Sequence, residues 1–185
     1  MGRIVFGVIL GWILAPLALL AWLQWGHPPV AAADPPLPYE RQLTHIPLRA
    51  RIAREMPGQP PVPADEANLL AGAEVYRDQC AACHGFHGQP STFGAHMFPK
   101  APALWEKHRN AVGVSDDPPG ETYWKVANGI RLTGMPAFKD TLSPTQIWQV
   151  SVLLANADKP LPPVVLSFVR GEVPATSASA PAARH

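Results

Sequence analysis

The hydrophobic positions of this chain form one unbroken run followed by several helix-spaced sets, with proline-rich gaps between them. From Ile4 to Trp25 all 22 residues are apolar except Gln24. At about 1.5 Å of rise per residue such a run crosses a hydrocarbon core of about 30 Å. The apolar stretch of a signal peptide is shorter, about 7 to 15 residues. Residues 1–25 therefore read as a retained transmembrane helix that tolerates Pro16, with Trp22 and Trp25 as aromatics near its outer edge. The competing signal is Ala31-Ala32-Ala33 before Asp34, which has the small residues of a cleavage site.

Residues 26–64 read as a tether whose ends, HPPVAAADPPLP and MPGQPPVPAD, are stiffened by proline. Between them Pro47 to Met56 is helix-like, with Leu48, Ile52 and Met56 on one face and Arg49, Arg51 and Arg54 elsewhere. This segment reads as a solvated spacer helix; a membrane-surface or partner-docking helix is the other reading. A stronger helix is expected from Glu66 to Cys80, with Asp65 as N-cap and Leu69, Gly72 or Ala73, Tyr76 and Cys80 on one side. Residues 85–120 lack sustained periodicity and read as loops around something large that supplies the missing core.

A helix follows over Glu121 to Asn128, stopped by Gly129. Another opens at Ser143 with Pro144 in its first position and Gln146 completing a capping box, and runs to about Ala157. Its apolar stripe is Ile147, Val150 and Leu154, widened by Trp148 and Val152. Proline then returns, and residues 163–185 read as a disordered Pro/Ala-rich tail. The span 65–162 is left as the one globular domain.

Composition sharpens this only in places. Across 185 residues the formal net charge is +1, which gives no general pull toward nucleic acid. Residues 65–162 hold eight Lys or Arg against ten Asp or Glu, so a strongly basic docking face is not expected there. Arg3 precedes the apolar run, and no Lys or Arg follows it until Arg41. That asymmetry places the amino terminus in the cytoplasm and the rest of the chain across the cytoplasmic (inner) membrane, on the periplasmic side.

The two cysteines are both spent in Cys80-Ala81-Ala82-Cys83-His84. This is the attachment pattern of a c-type haem: two thiols one helical turn apart form thioethers, and the next side chain offers its imidazole to the iron. The same residues could be a redox disulfide or half of a zinc site, but neither a βαβ setting nor further ligands at zinc spacing are evident. Met135, in an extended loop between two helices, is the candidate for the other face of the iron; Met97 and His96 are alternatives. His87 and His108 read as surface histidines.

Gly72-x-x-x-Tyr76-x-x-x-Cys80-x-x-Cys83-His84, together with Gly134-Met135-Pro136-Ala137-Phe138, resembles the class I c-type cytochromes over residues 66–160. The resemblance implies an all-α cytochrome c fold, three to four helices around one covalently attached haem c, beyond an N-terminal transmembrane helix. It implies His84 and Met135 as the iron ligands, and a first helix crossing the last at Gly72 with Tyr76 near Val150 and Leu153. Pro102, in Pro102-Ala103-Leu104, would accept the other N–H of His84. Trp124 would border the haem or reach a propionate with its indole N–H; ordinary core packing is the alternative.

The function implied is electron carriage, not catalysis: single electrons pass between redox partner proteins on the periplasmic side, and no small-molecule substrate binds the iron. A fixed haem subunit of a larger respiratory or dehydrogenase complex is the alternative, and a five-coordinate gas-binding module is a third reading. The membrane is the other partner, and nucleic acid is not expected to be one.

Overall fold

A computed structural model describes residues 1–108 and 110–172. The chain divides into two compact units, Met1–Glu40 and the part from Arg41 onward. In the first unit, helix α1 (Gly2–Trp25) buries no residue and carries Pro16 internally. Among the described residues it is the one helix long and apolar enough to cross a membrane.

The second unit is mostly helical: α2 (Glu40–Glu55), α3 (Glu66–Gln79), single turns α4 (Ala81–His84) and α5 (Thr92–Ala95), α6 (Pro119–Asn128), α7 (Pro144–Ala155) and α8 (Pro163–Val169). The departure from an all-α fold is a two-residue hairpin, β1 (Lys107–His108) against β2 (Ala111–Val112), paired antiparallel. The expected helices thus correspond to α3, α6 and α7, and α8 joins them.

Three local signals set α3 and α7. Asp65 accepts the Asn68 N–H at 2.9 Å and satisfies one of the orphan donors at the start of α3. Ser143 and Gln146 form the full capping box on α7, with Pro144 already in helical φ. The apolar stripe of α7 then packs on α3, burying Ile147, Val150, Leu153 and Leu154 with Ala73 and Tyr76. The helices meet at Gly72, where a Cβ would collide with the Gln149 carbonyl oxygen and stand 3.1 Å from the Leu153 Cβ. Gln149 Nε2 donates to Asn68 Oδ1 at 3.1 Å beside the crossing.

Two stretches expected as tether or tail belong to this unit. The disordered tail placed at 163–185 begins instead as α8. Pro162 and Pro163 start a helix rather than prevent one, and Val165 and Val169, one turn apart, are completely buried. Arg77 stacks over the Phe168 ring at 4.9 Å, and the His87 N–H donates to the Val169 carbonyl at 2.8 Å. The rest of that expected tail, residues 173–185, lies outside the described residues.

The spacer helix placed at Pro47 to Met56 starts at Glu40, with Pro47 in its interior, and it is not a solvated spacer. Ile52 is 4% exposed. The Trp124 N–H donates to Glu55 Oε2 at 3.0 Å, and the Arg51 guanidinium lies 5.9 Å from the Trp124 ring centroid. Gly120 faces the Pro57 carbonyl so closely that a Cβ would collide with it. The globular part therefore begins at Arg41, not at residue 65.

Two outcomes follow from these contacts. Gly72→Val forces α3 off α7; it should destabilise the unit by about 3 kcal/mol, the upper end for inserting methylenes into a packed core. Thermal unfolding should then come on the order of 15 °C earlier.

The Glu55 carboxyl titrates below its ordinary value of 4.5 because the Trp124 N–H, and then Arg51, favour the charged form. A depressed folded pKa stabilises above the unfolded value and loses that contribution as pH falls through the folded one. Docking of α2 is therefore full near neutrality and should weaken below about pH 4.5. Tryptophan fluorescence and rate-corrected amide exchange in α2 should show this, and Glu55→Gln should flatten the dependence.

Candidate functional site

The end of α3 builds the site. Cys80 is the last half-turn of α3 and the first of α4: its N–H donates to the Tyr76 carbonyl at 2.9 Å, while its own carbonyl accepts from Cys83 N at 3.1 Å and His84 N at 2.9 Å. Cys80, Cys83 and His84 therefore share one turn, and neither sulfur is in a disulfide. Burial, and then the charge of Cys83, push the Cys80 thiol up to about 12. An exchange-active thiol needs the opposite shift, so Cys80 is not an activated thiolate. Among the described residues no three Cys, His, Asp or Glu side chains converge as metal ligands.

His84 is fixed by the backbone of a distant loop. Its Nδ1 lies 2.7 Å from the Pro102 carbonyl oxygen. A carbonyl only accepts, so Nδ1 carries the proton and Nε2 is left with a lone pair. Burial lowers the His84 pKa and the Pro102 contact partly restores it. The ring is thereby held as the neutral tautomer that a metal requires.

Two further contacts brace this turn. The buried Tyr76 hydroxyl donates to the Gly85 carbonyl at 2.6 Å, and Gly85 has φ of +78°, so the chain leaves His84 through a left-handed residue. Ser91 Oγ donates to the Ala82 carbonyl at 2.5 Å and accepts the Gly94 N–H at 3.0 Å, which ties α5 to α4. At Gly94 a Cβ would run into the Cys83 carbonyl.

The same contacts lead to the methionine loop. The Met97 N–H donates to the Gly94 carbonyl at 3.4 Å, and the Met97 Cε lies where a Cβ on Gly134 would be. Residue 135 is held by its own loop: Thr133 Oγ1 accepts the Met135 N–H at 3.1 Å, and the Met135 carbonyl accepts the Ile130 N–H at 3.3 Å. Met135 packs on the buried core, as a partly buried member. His96 is exposed, its Nδ1 2.8 Å from the Thr92 carbonyl. His87 is exposed; His108 is turned to the Gly113 carbonyl.

The structure thus draws together Cys80, Cys83, His84 and Pro102, and links the Met135 loop to them through α5 and Met97. Trp124 is elsewhere engaged. Its N–H is spent on Glu55, so the expected reach to a propionate is replaced by a bond to α2.

Trp105, which the sequence reading passed over, stands edge-on to Tyr76 with ring centroids 5.5 Å apart. Its Nε1 is buried and makes no well-formed hydrogen bond among the described residues, the Tyr76 hydroxyl being the group beside it. Two thiols, a neutral imidazole with a free Nε2 and a nearby thioether fit a covalently attached haem.

A family model described as "Cytochrome C oxidase, cbb3-type, subunit III" matches residues 67–154, which run from the first turn of α3 to the last turn of α7. Over that span the chain carries a cytochrome c domain. It is similar to a quinohemoprotein alcohol dehydrogenase, ADH-IIG, of Pseudomonas putida, at 28% identity over 52% of the chain and 11% of that protein. It is also similar to a thiosulfate dehydrogenase of Stutzerimonas stutzeri, at 29% identity over 62% of the chain and 36% of the relative.

The chain therefore spans about a tenth and about a third of the length of these two relatives. Among solved structures, a chain of the Kuenenia stuttgartiensis reducing HAO-like protein complex aligns with a TM-score of 0.46 and 18% identity, over 75% of this chain and 55% of that one. A cytochrome c domain binds haem c covalently and transfers electrons without itself being a catalyst.

The cytochrome domain should be sensitive to loss of one oxygen. Tyr76→Phe leaves the buried Gly85 carbonyl without its donor, a loss of about 1–3 kcal/mol. Thermal unfolding followed by circular dichroism should report it, with the helical content unchanged.

Proposed function

We propose that this chain is a membrane-tethered, monohaem electron carrier that works on the periplasmic side of the inner membrane. The single observation that carries the haem part is the turn Cys80 to His84 with its imidazole proton committed to Pro102. With two cysteines in the whole sequence, one haem is the stoichiometry supported. Cys80 and Cys83 would hold it as thioethers, His84 would be the proximal ligand and Met135 the distal one. Bound there, the haem supplies a one-electron couple.

The chain's own residues do the rest. Pro102 keeps His84 neutral and oriented, and Ser91 with Gly94 presses α5 onto the attachment turn. Thr133 braces the methionine loop. Met135 is favoured over Met97 because its side chain packs on the core and its loop is stitched to the end of α6, where the Phe138 N–H donates to the Val126 carbonyl at 3.0 Å. With His84 and Met135 both holding the haem iron, no place would be left on it for a substrate, which would favour electron transfer over ligand binding.

Partners are read as redox proteins that dock weakly and leave quickly. Phe93, Phe98 and Leu132 are exposed at 65%, 41% and 84%, on segments that Met97 links together. Exposed apolar side chains on linked segments, with little net charge on the domain, suit a short-lived redox encounter. The tether is supported by the length and apolar character of α1 and by the placement of Arg3 and Arg41 around it.

A fixed subunit of a larger oxidoreductase is the second reading, favoured by relatives that are named as dehydrogenases and are longer than this chain, one of them several times so. Co-isolation of a large partner in mild detergent would establish it.

The test uses the full chain from a membrane fraction. Haem stain should survive denaturing electrophoresis, and the oxidised protein should be low-spin with a methionine–iron charge-transfer band. Met135→Ala should abolish that band and yield a high-spin, carbon-monoxide-binding iron, whereas Met97→Ala should leave it low-spin. A colourless band on the gel overturns the reading, and an unchanged spectrum in Met135→Ala moves the distal ligand to Met97 or His96.

A further inference from the structure

The outward face of α2 is apolar, exposed and edged with arginine. On the inward side His45 and Leu48 are partly buried and Ile52 fully so, one helical stripe that matches the contact of Glu55 and Arg51 with Trp124. The 3.6-residue repeat puts Leu43, Ile46, Ala50 and Ala53 on the opposite side. All four are exposed, Leu43 and Ile46 at 65% each. Exposed Arg49 borders this stripe on one edge and exposed Arg54 on the other. Within the helix Arg41, Arg49, Arg51 and Arg54 face only Glu40 and Glu55, and the latter is already paired with Arg51 at 2.9 Å.

An apolar ridge with cationic margins suits the boundary between acyl chains and anionic headgroups: the ridge enters the hydrocarbon and the guanidiniums meet phosphates. Lipid is also the surface that the chain itself keeps near. Only residues 26–39 separate α1 from α2, so a bilayer holding α1 is within about 45 Å of chain. We propose that α2 is an interfacial helix that lies on anionic lipid with Leu43, Ile46, Ala50 and Ala53 buried in the membrane. Because α2 is also clamped to Trp124, it orients the cytochrome domain at the surface. This inference rests on the reading of α1 as a membrane anchor.

The experiment uses the full, haem-loaded chain at one copy per lipid nanodisc. With Cys80 and Cys83 held as thioethers, Ile46→Cys carries a polarity-sensitive fluorophore, and Asp158→Cys, exposed and remote in sequence, is the control. Discs contain phosphatidylcholine alone or phosphatidylcholine with phosphatidylglycerol, each with doxyl-labelled lipid as quencher. The label at 46 should shift to the blue and be quenched in phosphatidylglycerol discs, while the label at 158 stays in water. The double change Arg49→Glu/Arg54→Glu should lower the lipid-bound population on the order of tenfold or more.

A chain that stays with the disc while its residue-46 label remains in water overturns the inference and leaves the anchor standing. Quenching equal in both lipids and indifferent to charge reversal also overturns it, as does a blue shift that appears only with two chains per disc, which assigns the face to a second copy. A chain that leaves the disc fraction overturns the anchor, and the inference with it.

Discussion

The close crossing of α3 and α7 at Gly72 is the constraint on which the site depends. Cys80 closes α3 and opens α4 in the same residue, so the rotation of α3 about its axis decides where both thiols and His84 face. That rotation is set two turns earlier, where the absent side chain of Gly72 lets the Gln149 backbone come into contact. Tyr76, one turn on, then reaches past the helix end to the Gly85 carbonyl and holds the exit from His84. A single glycine, a single tyrosine and two cysteines at four-residue and three-residue steps make one continuous mechanical element.

Much of this was legible in the sequence because the signals are local or carried by a motif. The caps Asp65 and Ser143 with Gln146 act within four residues, and α3 and α7 are found where they were expected. The attachment turn is a motif whose spacing has a chemical reason. Pro102 came from resemblance alone, and the structure puts its carbonyl 18 residues from His84 but 2.7 Å away. No periodicity could have found that pair.

What was missed has a common physical origin. Proline was read as the mark of a linker, yet at a helix start its fixed φ and missing N–H are no handicap. Pro162 and Pro163 thus begin α8, where Val165 and Val169 were a readable i, i+4 pair. Pro47 sits inside α2 because tertiary contacts at Ile52 and Glu55 hold the helix. The brace by Ser91 and the buried Trp105 gave no signal at all in an aperiodic stretch, since both depend on partners in other elements. Trp124 is the converse case: its type left haem contact and core packing both open, and its indole N–H meets a carboxylate 69 residues back along the chain.

That last contact makes α6 the beam shared by the two ends of the unit. At its first turns Gly120 admits the Pro57 carbonyl and Trp124 holds Glu55. At its far end the Val126 and Ala127 carbonyls accept from Phe138 and Lys139, which return the methionine loop to the core. Removing α2 would strip Trp124 of its acceptor and open a buried indole to water, at the same helix whose end positions Met135. The stretch between the apolar run and the cytochrome domain is therefore more than a leash: its second half is part of the scaffold that presents the methionine loop. A truncation at residue 64, natural from the sequence alone, would cut through that scaffold rather than beside it.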